Sequence, residues 1–332
     1  MKLVKMLIII LFIVATIWLI FWLFGRKRFP VEYGMSFNQN HAESLGLDWK
    51  ETYSVMLKEL NPKYVRIAAM WNQVEKEENV WDFSDVDFMM DEAEKYDAKV
   101  LLVVGQKAPR WPECHVPEWV NEKTREESKT HLLLYVDRVV NTYRDHPALE
   151  LWQVENEAFI NFKFGDCARF DERAVYDELE RVRKQDPNHR IVMTDSGELS
   201  TWRTPSKLSD IFGTTLYRIV QNKYGWTFTY DWLPAGFYRL KAMLWGVEYQ
   251  NFFVAELQAE PWFTHSSPLE ATIEEQEKTM NPERLQKHIE YAERVGASRV
   301  YLWGVEWWYF MRKVNGDARY WEIVRDVVKS NI

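Results

Sequence analysis

Residues 148–159 read ALELWQVENEAF, a mostly apolar run that ends in two glutamates with an asparagine between them. A short run of this kind is typical of a β-strand that is buried on both faces in a parallel sheet. Unpaired charges are costly to bury. Glu155, Asn156 and Glu157 therefore mark either a solvated strand end or part of a functional site.

The same pattern of a short apolar strand and an amphipathic helix recurs along the chain. Further strands are predicted at 32–38, 64–70, 99–105, 190–196, 211–217, 252–258 and 299–305. Helices are predicted at 48–60, 83–96, 128–146, 172–185, 233–249, 282–296 and 318–330. Asp48 and Ser84 are suitable N-caps, and the helix at 282–296 has proline in its first turn and glycine at its end.

Eight strands that alternate with helices predict a parallel α/β architecture that closes into a (β/α)8 TIM barrel. A doubly wound sheet is the alternative, but no glycine-rich phosphate loop follows the first strand. Residues 29–332 suffice for one such barrel, since this fold commonly takes about 250 residues. Its catalytic residues are expected on the loops after the C-terminal ends of the strands.

The first 28 residues form a separate segment. Residues 6–24 contain no charged side chain, and their number is close to the ~20 that a helix needs to cross a bilayer. The run ends in Trp22-Leu23-Phe24 and a basic triplet, without the small-residue cleavage site of a signal peptide. We predict a single-pass anchor at 1–28, in contact with lipid through 6–24. The basic residues on its two sides are balanced, so charge does not decide the orientation; the barrel is expected outside the cytoplasm.

The formal net charge is −8, and the anchor holds five basic residues and no acid, which leaves −13 on the barrel. This excludes nucleic acid as a partner, because its binding depends on Lys and Arg that neutralise phosphates. The seven histidines lack the spacing of a metal site, and neither a metal nor an organic cofactor is predicted. Cys114 and Cys167 fall on loops expected to be adjacent. A disulfide between them would indicate an oxidising compartment, and two free buried thiols are the alternative.

Two carboxylates follow strands that are far apart in sequence. Glu157 follows the fourth predicted strand, and Glu256 lies near the end of the seventh, in FFVAELQAEPW (252–262). Cleavage of a glycosidic bond requires two such acids in one mouth. One donates a proton to the leaving oxygen, and the other attacks or stabilises the anomeric carbon. The alternatives are Glu155 as the acid in place of Glu157, and Glu260 or Glu306 as the nucleophile in place of Glu256.

These motifs resemble those of clan A glycoside hydrolases, which are retaining enzymes on (β/α)8 barrels, over roughly residues 32–328. WQVENE (152–157) resembles the acid/base motif of the clan. APRWP (108–112) and ELQAEPW (256–262) resemble family 42 β-galactosidases, and cellulase-like family 5 is the other similar group. The resemblance implies that Glu157 is the acid/base and Glu256 the nucleophile.

The resemblance also implies roles for the residues around the pair. Asn156 would bind the sugar 2-hydroxyl, and Arg66 and Tyr217 would orient and ionise the nucleophile. Trp303 would be the sugar platform. Trp71 and Trp111 also fall near strand ends, where aromatic faces suit stacking on a saccharide.

The sequence thus predicts a membrane-tethered, retaining glycoside hydrolase that cleaves a β-glycosidic bond of an oligo- or polysaccharide or glycoside. The alternative is a tethered barrel that binds carbohydrate without catalysis, against which the intact carboxylate pair counts. An esterase or phosphatase is disfavoured because no nucleophile elbow is present. Specificity is expected to depend on the loops at 107–127, 158–170, 218–234 and 259–280.

Overall fold

The computed structural model describes residues 2–160, 162, 165–222, 224–263 and 267–330. Met1, in the predicted anchor, lies outside the described residues. So do parts of the loops that were predicted to set specificity: Asn161, Lys163, Phe164, Lys223 and residues 264–266.

Eight parallel strands form a closed barrel, which confirms the predicted fold. They are β1 (Glu32–Ser36), β2 (Tyr64–Ala68), β3 (Lys99–Val104), β4 (Leu149–Val154), β5 (Arg190–Asp195), β6 (Ile211–Leu216), β7 (Phe252–Gln258) and β8 (Arg299–Trp303). Each strand pairs with its neighbours in chain order, and β1 closes the barrel by pairing with β8. The C-terminal ends of all eight strands therefore meet at one mouth.

Helices surround the barrel. The α-helices are α1 (Lys2–Phe24), α2 (Gln39–Ser44), α3 (Trp49–Val55), α4 (Trp71–Val74), α5 (Ser84–Lys95), α6 (Arg125–Tyr143), α7 (Ala174–Gln185), α8 (Pro205–Leu208), α9 (Gly236–Leu244), α10 (Ile273–Thr279), α11 (Pro282–Val295), α12 (Val305–Asn315) and α13 (Arg319–Lys329). A π-helical turn, Met56–Leu60, extends α3, and 3-10 helices lie at Glu118–Glu122 and Tyr249–Asn251. An antiparallel hairpin, Ile219–Gln221 with Thr227–Thr229, follows β6.

The helix ends follow local capping chemistry. Asp48 caps α3 by accepting a hydrogen bond from the amide of Glu51 at 3.0 Å, as predicted. The prediction for Ser84 was wrong, because Ser84 is the first residue of α5 and its amide donates to the Asp82 carboxylate instead. Helix α12 was not predicted. Strand β8 ends at Trp303 because Gly304, at φ +144°, turns the chain where a Cβ would lie 2.9 Å from the carbonyl oxygen of Ala259.

The interior of the barrel has two layers. An apolar layer lies toward the N-terminal ends of the strands: Tyr64, Leu101, Leu151, Val192, Ile211, Phe253 and Tyr301. Further along the same strands, toward the mouth, the buried side chains are polar: Arg66, Gln153, Thr194 and Glu256. Polar groups are costly to bury without partners. The second layer therefore marks the end of the barrel where a site is built.

Helix α1 lies on the outside of the barrel and buries none of its residues. Among the described residues it is the one helix long and apolar enough to span a membrane, with a mean hydropathy of 3.0 over its most apolar window. It packs against α9, where the rings of Phe21 and Phe237 are 5.6 Å apart.

Candidate active site

Glu157 lies at the mouth, three residues beyond the end of β4. Both Glu155 and Glu157 have left-handed backbones, with φ of 59° and 47°, a conformation that non-glycine residues rarely adopt and that is enriched at functional sites. The Glu157 carboxylate accepts a hydrogen bond from the Thr215 hydroxyl at 3.1 Å, and its amide donates to the Thr194 hydroxyl at 3.0 Å. Thr194 on β5 and Thr215 on β6 thus hold Glu157 in place by hydrogen bonds.

Glu256 lies on β7 and is held by two donors. Arg66, on β2, donates from Nη1 to Glu256 Oε1 at 2.9 Å, and the Tyr217 hydroxyl donates to Glu256 Oε2 at 2.7 Å. Both side chains of the Arg66–Glu256 ion pair are at most 5% exposed. Each carboxylate oxygen of Glu256 therefore accepts a hydrogen bond from a side chain of the barrel, and one of the two donors is a guanidinium.

Arg66 also connects Glu256 to the end of β4. Its Nη2 donates to Asn156 Oδ1 at 2.8 Å, and its Nε donates to Gln153 Oε1 at 2.8 Å. The Thr194 hydroxyl donates to the same oxygen of Asn156 at 3.1 Å. One buried guanidinium thus positions the residue predicted as the nucleophile and the asparagine next to the predicted acid.

The two carboxyls differ in their contacts, and among the described residues Glu157 has no cation of its own comparable to Arg66. Burial raises the pKa of Glu157 well above its ordinary value, and the negative charges of Glu256 and Glu113 raise it further. Burial, and then Glu256, also raise the pKa of Tyr217, so its hydroxyl keeps the proton that it donates. The site therefore combines a carboxyl that holds its proton with a carboxylate paired to a cation.

A third carboxyl, Glu113, was missed by the sequence analysis. It lies on the loop after β3 and accepts a hydrogen bond from Asn156 Nδ2 at 3.3 Å. Burial, together with the charge of Glu256, raises the pKa of Glu113 to about 7. The only signal in the sequence was its place in the loop at 107–127, and nothing local to that loop indicates which of its residues turns inward.

The loop that carries Glu113 is joined to the loop after β4. Cys114 and Cys167 form a disulfide, which decides between the two alternatives that the sequence left open. The amide of Asp166 donates to the carbonyl of Pro112 at 2.8 Å. Gly165 packs against Glu113 so closely that a Cβ would lie 2.5 Å from Glu113 Cβ.

Glu155, the alternative acid, has a different role. Its carboxylate accepts hydrogen bonds from the amides of Gln106, at 2.7 Å, and Lys107, at the beginning of the loop after β3. Below it lies the fully buried carboxyl of Glu178, on α7. Burial is the main cause of the raised pKa of both Glu155 and Glu178. The negative charge of Glu155 raises the pKa of Glu178 further. Glu155 thus holds a loop in place, and its carboxylate is occupied by backbone amides.

Glu260 and Glu306, the alternatives for the nucleophile, are both bound by Arg110. Arg110 pairs with both oxygens of Glu260 and with Glu306 at 3.3 Å. Although burial acts to raise the pKa of Glu260, Arg110 and His41 hold it at about 2. The ligand atoms of His41, Glu260 and Glu306 lie within 4.8 Å of one another, a spacing that could hold a metal ion, but the Arg110 guanidinium already binds both carboxyl groups.

The three predicted aromatic residues have different environments. Trp303 lines the mouth together with Arg66. Its indole donates to Glu260 at 3.0 Å, and Arg110 lies 4.3 Å from the centre of its ring. Trp111 is on the rim and is 70% exposed. The prediction that Trp71 contacts the sugar is corrected by the structure. It is buried, stacks on Tyr135 at 5.6 Å and donates to Glu75 at 2.8 Å, so it packs the core and presents no face to the mouth.

Comparisons with known proteins agree with the barrel fold. A family model for glycoside hydrolase family 42, described as β-galactosidase, matches residues 37–173. The resemblance to clan A glycoside hydrolases is confirmed. The match includes Arg66, Glu113 and Glu157 and ends before Glu256. No curated protein sequence matches the chain significantly.

Several solved structures with a similar fold are glycoside hydrolases. A β-galactosidase from the haloarchaeon Halorubrum lacusprofundi is 16% identical, with a TM-score of 0.57 over 82% of this chain and 52% of that one. Xylanase 10B from Thermotoga maritima is 14% identical, with a TM-score of 0.58 over 91% of this chain and 97% of that one. GH5_18 from Streptomyces cattleya, in complex with GlcNAc, is 12% identical, with a TM-score of 0.55 over 83% and 71%. The chain spans about half the length of the β-galactosidases it matches.

Proposed function

We propose that this protein is a retaining glycoside hydrolase that cleaves a β-glycosidic bond by double displacement. The observation that carries the proposal is the contrast between the two carboxyls at the mouth. Glu256 is paired with Arg66 and Tyr217, whereas burial and like charges raise the pKa of Glu157. Glycoside cleavage requires one ionised and one protonated carboxyl, and these contacts suit Glu256 to the first role and Glu157 to the second.

In the first step, a carboxylate oxygen of Glu256 attacks the anomeric carbon. The bond from that carbon to the leaving oxygen breaks, and Glu157 donates its proton to the oxygen. In the second step, Glu157 accepts a proton from water, whose oxygen attacks the anomeric carbon and displaces Glu256. Both carboxyls return to their starting protonation states, and two inversions give net retention.

The surrounding residues supply orientation. Arg66 and Tyr217 are positioning residues that hold Glu256 by its two oxygens. Asn156 is proposed to contact the 2-hydroxyl of the sugar, because Arg66 and Thr194 fix its amide at the mouth. Trp303 and Trp111 are proposed as the sugar-contacting aromatics, one inside the mouth and one on its rim. Trp71 is left out because it is buried in the core.

We further propose that α1 anchors the protein in a membrane as a single span, with the barrel outside the cytoplasm. The length and hydropathy of α1 support the span. The disulfide between Cys114 and Cys167 supports an oxidising compartment for the barrel.

Activity of the full chain in detergent micelles on a panel of aryl β-glycosides tests the proposal. We expect hydrolysis of at least one glycoside with retention, and a loss of about 10²-fold or more in Glu157→Gln and Glu256→Gln. Glu172→Gln, at an exposed position, is the matched control and should be as active as the parent chain.

Azide separates the roles of the two acids. It should rescue Glu256→Gly and give the α-glycosyl azide, and it should rescue Glu157→Ala and give the β-glycosyl azide. Hydrolysis with inversion would overturn the double-displacement mechanism. Binding of oligosaccharides without turnover of either aryl glycosides or oligosaccharides would support the carbohydrate-binding barrel instead.

A further inference from the structure

Glu113 lies beside the predicted catalytic pair, but the proposed mechanism does not use it. Its side chain is only 6% exposed. Its negative charge raises the pKa of Glu157, so the two carboxyls are within electrostatic reach of each other. A carboxyl is costly to bury unless it is paired and hydrogen-bonded. The partners of Glu113 therefore indicate what it can bind.

The protein gives Glu113 one hydrogen bond to its carboxyl and no ion pair. Its Oε2 accepts from Asn156 Nδ2 at 3.3 Å, and no side chain or amide of the described residues donates to its Oε1. Two cations, Lys107 and Arg66, act on its charge from a distance. Both are engaged elsewhere, since Lys107 donates to the carbonyl oxygen of Glu157 at 3.1 Å and Arg66 pairs with the predicted nucleophile. The carboxyl thus keeps an oxygen that can accept from a bound ligand.

Asn156 places this oxygen beside position 2 of the sugar. Asn156 is the residue proposed to contact the substituent at that position, and its own Oδ1 already accepts from Arg66 at 2.8 Å and from the Thr194 hydroxyl at 3.1 Å. A substituent next to the amide nitrogen of Asn156 is also next to the carboxyl that accepts from this nitrogen. The acceptor left over at that place belongs to Glu113.

The loop after β3 fixes the backbone of Glu113. Its amide donates to the carbonyl oxygen of Arg110 at 2.8 Å, and its carbonyl oxygen accepts from the amide of Ala108 at 2.9 Å. The next residue, Cys114, is bonded to Cys167. A carboxyl on a backbone held in this way is preorganised for its ligand.

An ammonium group suits this carboxyl better than a hydroxyl does. A primary ammonium offers three donors and no acceptor, and its charge compensates that of the carboxylate. Burial and the charge of Glu256 raise the pKa of Glu113 to about 7. A cation bound next to Glu113 favours its ionised form, so that each charge stabilises the other.

We propose that the sugar cleaved by this protein carries a protonated amine at position 2, and that the amine pairs with Glu113. The substrate class is thus a 2-amino-2-deoxy-β-glycoside. This inference rests on the proposed glycosidase function and specifies its substrate. Glu157 and Glu256 keep their roles as acid/base and nucleophile, and Glu113 determines specificity.

Steady-state kinetics of the full chain in detergent micelles at pH 7 test the proposal. The substrates are matched aryl β-glycosides with an amino, a hydroxyl or an acetamido group at position 2, in both the gluco and the galacto series. Glu113→Gln removes the charge and keeps an acceptor for Asn156. Asp166→Asn, which alters an exposed acid on the neighbouring loop, is the matched control.

We expect the ratio of kcat/KM for the amino glycoside to that for the hydroxyl glycoside to fall by about 10- to 100-fold in Glu113→Gln, because a hydrogen bond between two charged groups is lost. The ratio in Asp166→Asn should equal that of the parent chain. Comparing ratios between variants cancels the intrinsic difference in reactivity between the two substrates. An equal ratio in the parent chain and Glu113→Gln, hydrolysis of the hydroxyl glycosides alone, or a preference for the acetamido glycosides overturns the proposal and leaves the glycosidase function.

Binding separates the two proposals if none of these glycosides is hydrolysed. Glucosamine and galactosamine are then compared with glucose and galactose by calorimetry, on the parent chain and on Glu113→Gln. Tighter binding of an amino sugar to the parent chain, lost in Glu113→Gln, would support the contact with Glu113 in a barrel that binds carbohydrate without cleaving it. Equal affinities, or no binding of any of the four sugars, would overturn both proposals.

Discussion

The guanidinium of Arg66 donates a hydrogen bond to the carboxylate of Glu256 at 2.9 Å, and both side chains are almost completely removed from water. Removing a buried charge from water is costly, and the cost is offset only when partner and geometry are both present. Either residue alone would leave an unpaired charge in the barrel. The pair therefore behaves as a unit in stability as well as in the proposed chemistry.

The first prediction concerns this coupling. Arg66→Met should lower the free energy of unfolding by about 3–5 kcal/mol, because it leaves the carboxylate of Glu256 buried and unpaired. The double variant with Glu256→Gln should recover a large part of that loss. Chemical denaturation of the single and double variants gives the coupling energy. Simple addition of the two single effects would contradict the prediction.

The second prediction concerns the hydroxyl of Tyr217. Tyr217→Phe should lower kcat/KM by about 10- to 100-fold, because it removes one hydrogen bond to a charged carboxylate. Tyr309→Phe removes a similar hydrogen bond to Glu51, which lies on α3 and is not part of the candidate site, and should leave kcat/KM unchanged. Equal losses in the two variants would show that the effect is structural.

The third prediction concerns Glu113 and pH. The charge of Glu113 raises the pKa of Glu157, and Glu113 itself, with a pKa of about 7, ionises in the neutral range. In Glu113→Gln, Glu157 should lose its proton at a lower pH, so the alkaline limb of the kcat/KM profile should move toward acid. Glutamine can still accept the hydrogen bond from Asn156, so the maximum rate should fall far less than in Glu157→Gln.

Profiles of kcat/KM from pH 5 to 9 check this shift. Asp166→Asn, an exposed acid on the neighbouring loop, is the control and should leave the alkaline limb in place. The charged groups that interact with Glu113 are Glu157, Glu256, Lys107 and Arg66, and all of them are unchanged in both variants. An alkaline limb that stays in place or moves toward higher pH in Glu113→Gln would refute the prediction.

The fourth prediction concerns the buried pair of Glu155 and Glu178. Their pKa values are raised in the folded chain, so the unfolded chain ionises at a lower pH than the folded one. Stability is therefore lost as pH rises from the ordinary glutamate pKa of about 4.3 toward the folded values. Glu178→Gln removes one of these groups and should raise Tm by about 2 °C or more at pH 8, with little change near pH 4.5.

Thermal melts at several pH values measure this difference. Glu180→Gln alters an exposed residue on the same helix and should show no gain that grows with pH. A constant difference between Glu178→Gln and the parent chain at every pH would mean that Glu178 does not ionise on unfolding in the way expected.

The fifth prediction concerns the disulfide. Unreduced, denatured protein should contain no free thiol, and reduced protein should contain two, since Cys114 and Cys167 are the two cysteines of the chain. The double variant Cys114→Ser/Cys167→Ser should lose about 2–4 kcal/mol of stability, as is typical for a bridge that closes a loop of this size. Two free thiols in unreduced protein would exclude the bridge.

Residues whose position follows from strand order were predictable. Glu157 follows β4 and Glu256 lies near the end of β7. Parallel strands in a barrel bring their C-terminal ends to one mouth, whatever the conformation of the loops. Arg66 and Tyr217 were found in the same way, on or just after β2 and β6. The structure places all four together at the mouth of the barrel.

Residues whose position depends on loop conformation were not predictable. Trp71 and Trp111 both follow strand ends, yet the first is packed against Tyr135 and the second is exposed. Glu113 was missed because its inward direction depends on contacts with Gly165 and Asp166, more than fifty residues further along the chain. Local sequence patterns do not indicate contacts between residues so far apart in the chain.

The sequence by itself determined the eight-stranded barrel, the apolar N-terminal helix and the strand ends that carry the candidate acids. These features follow from periodicity, capping and strand order, which act between neighbouring residues. Only the tertiary structure decided that Cys114 meets Cys167, that Arg110 binds both Glu260 and Glu306, and that Glu113 faces Asn156. The physical reason is that buried charges and polar groups need partners, and in this barrel those partners come from distant loops that only the closed fold brings together.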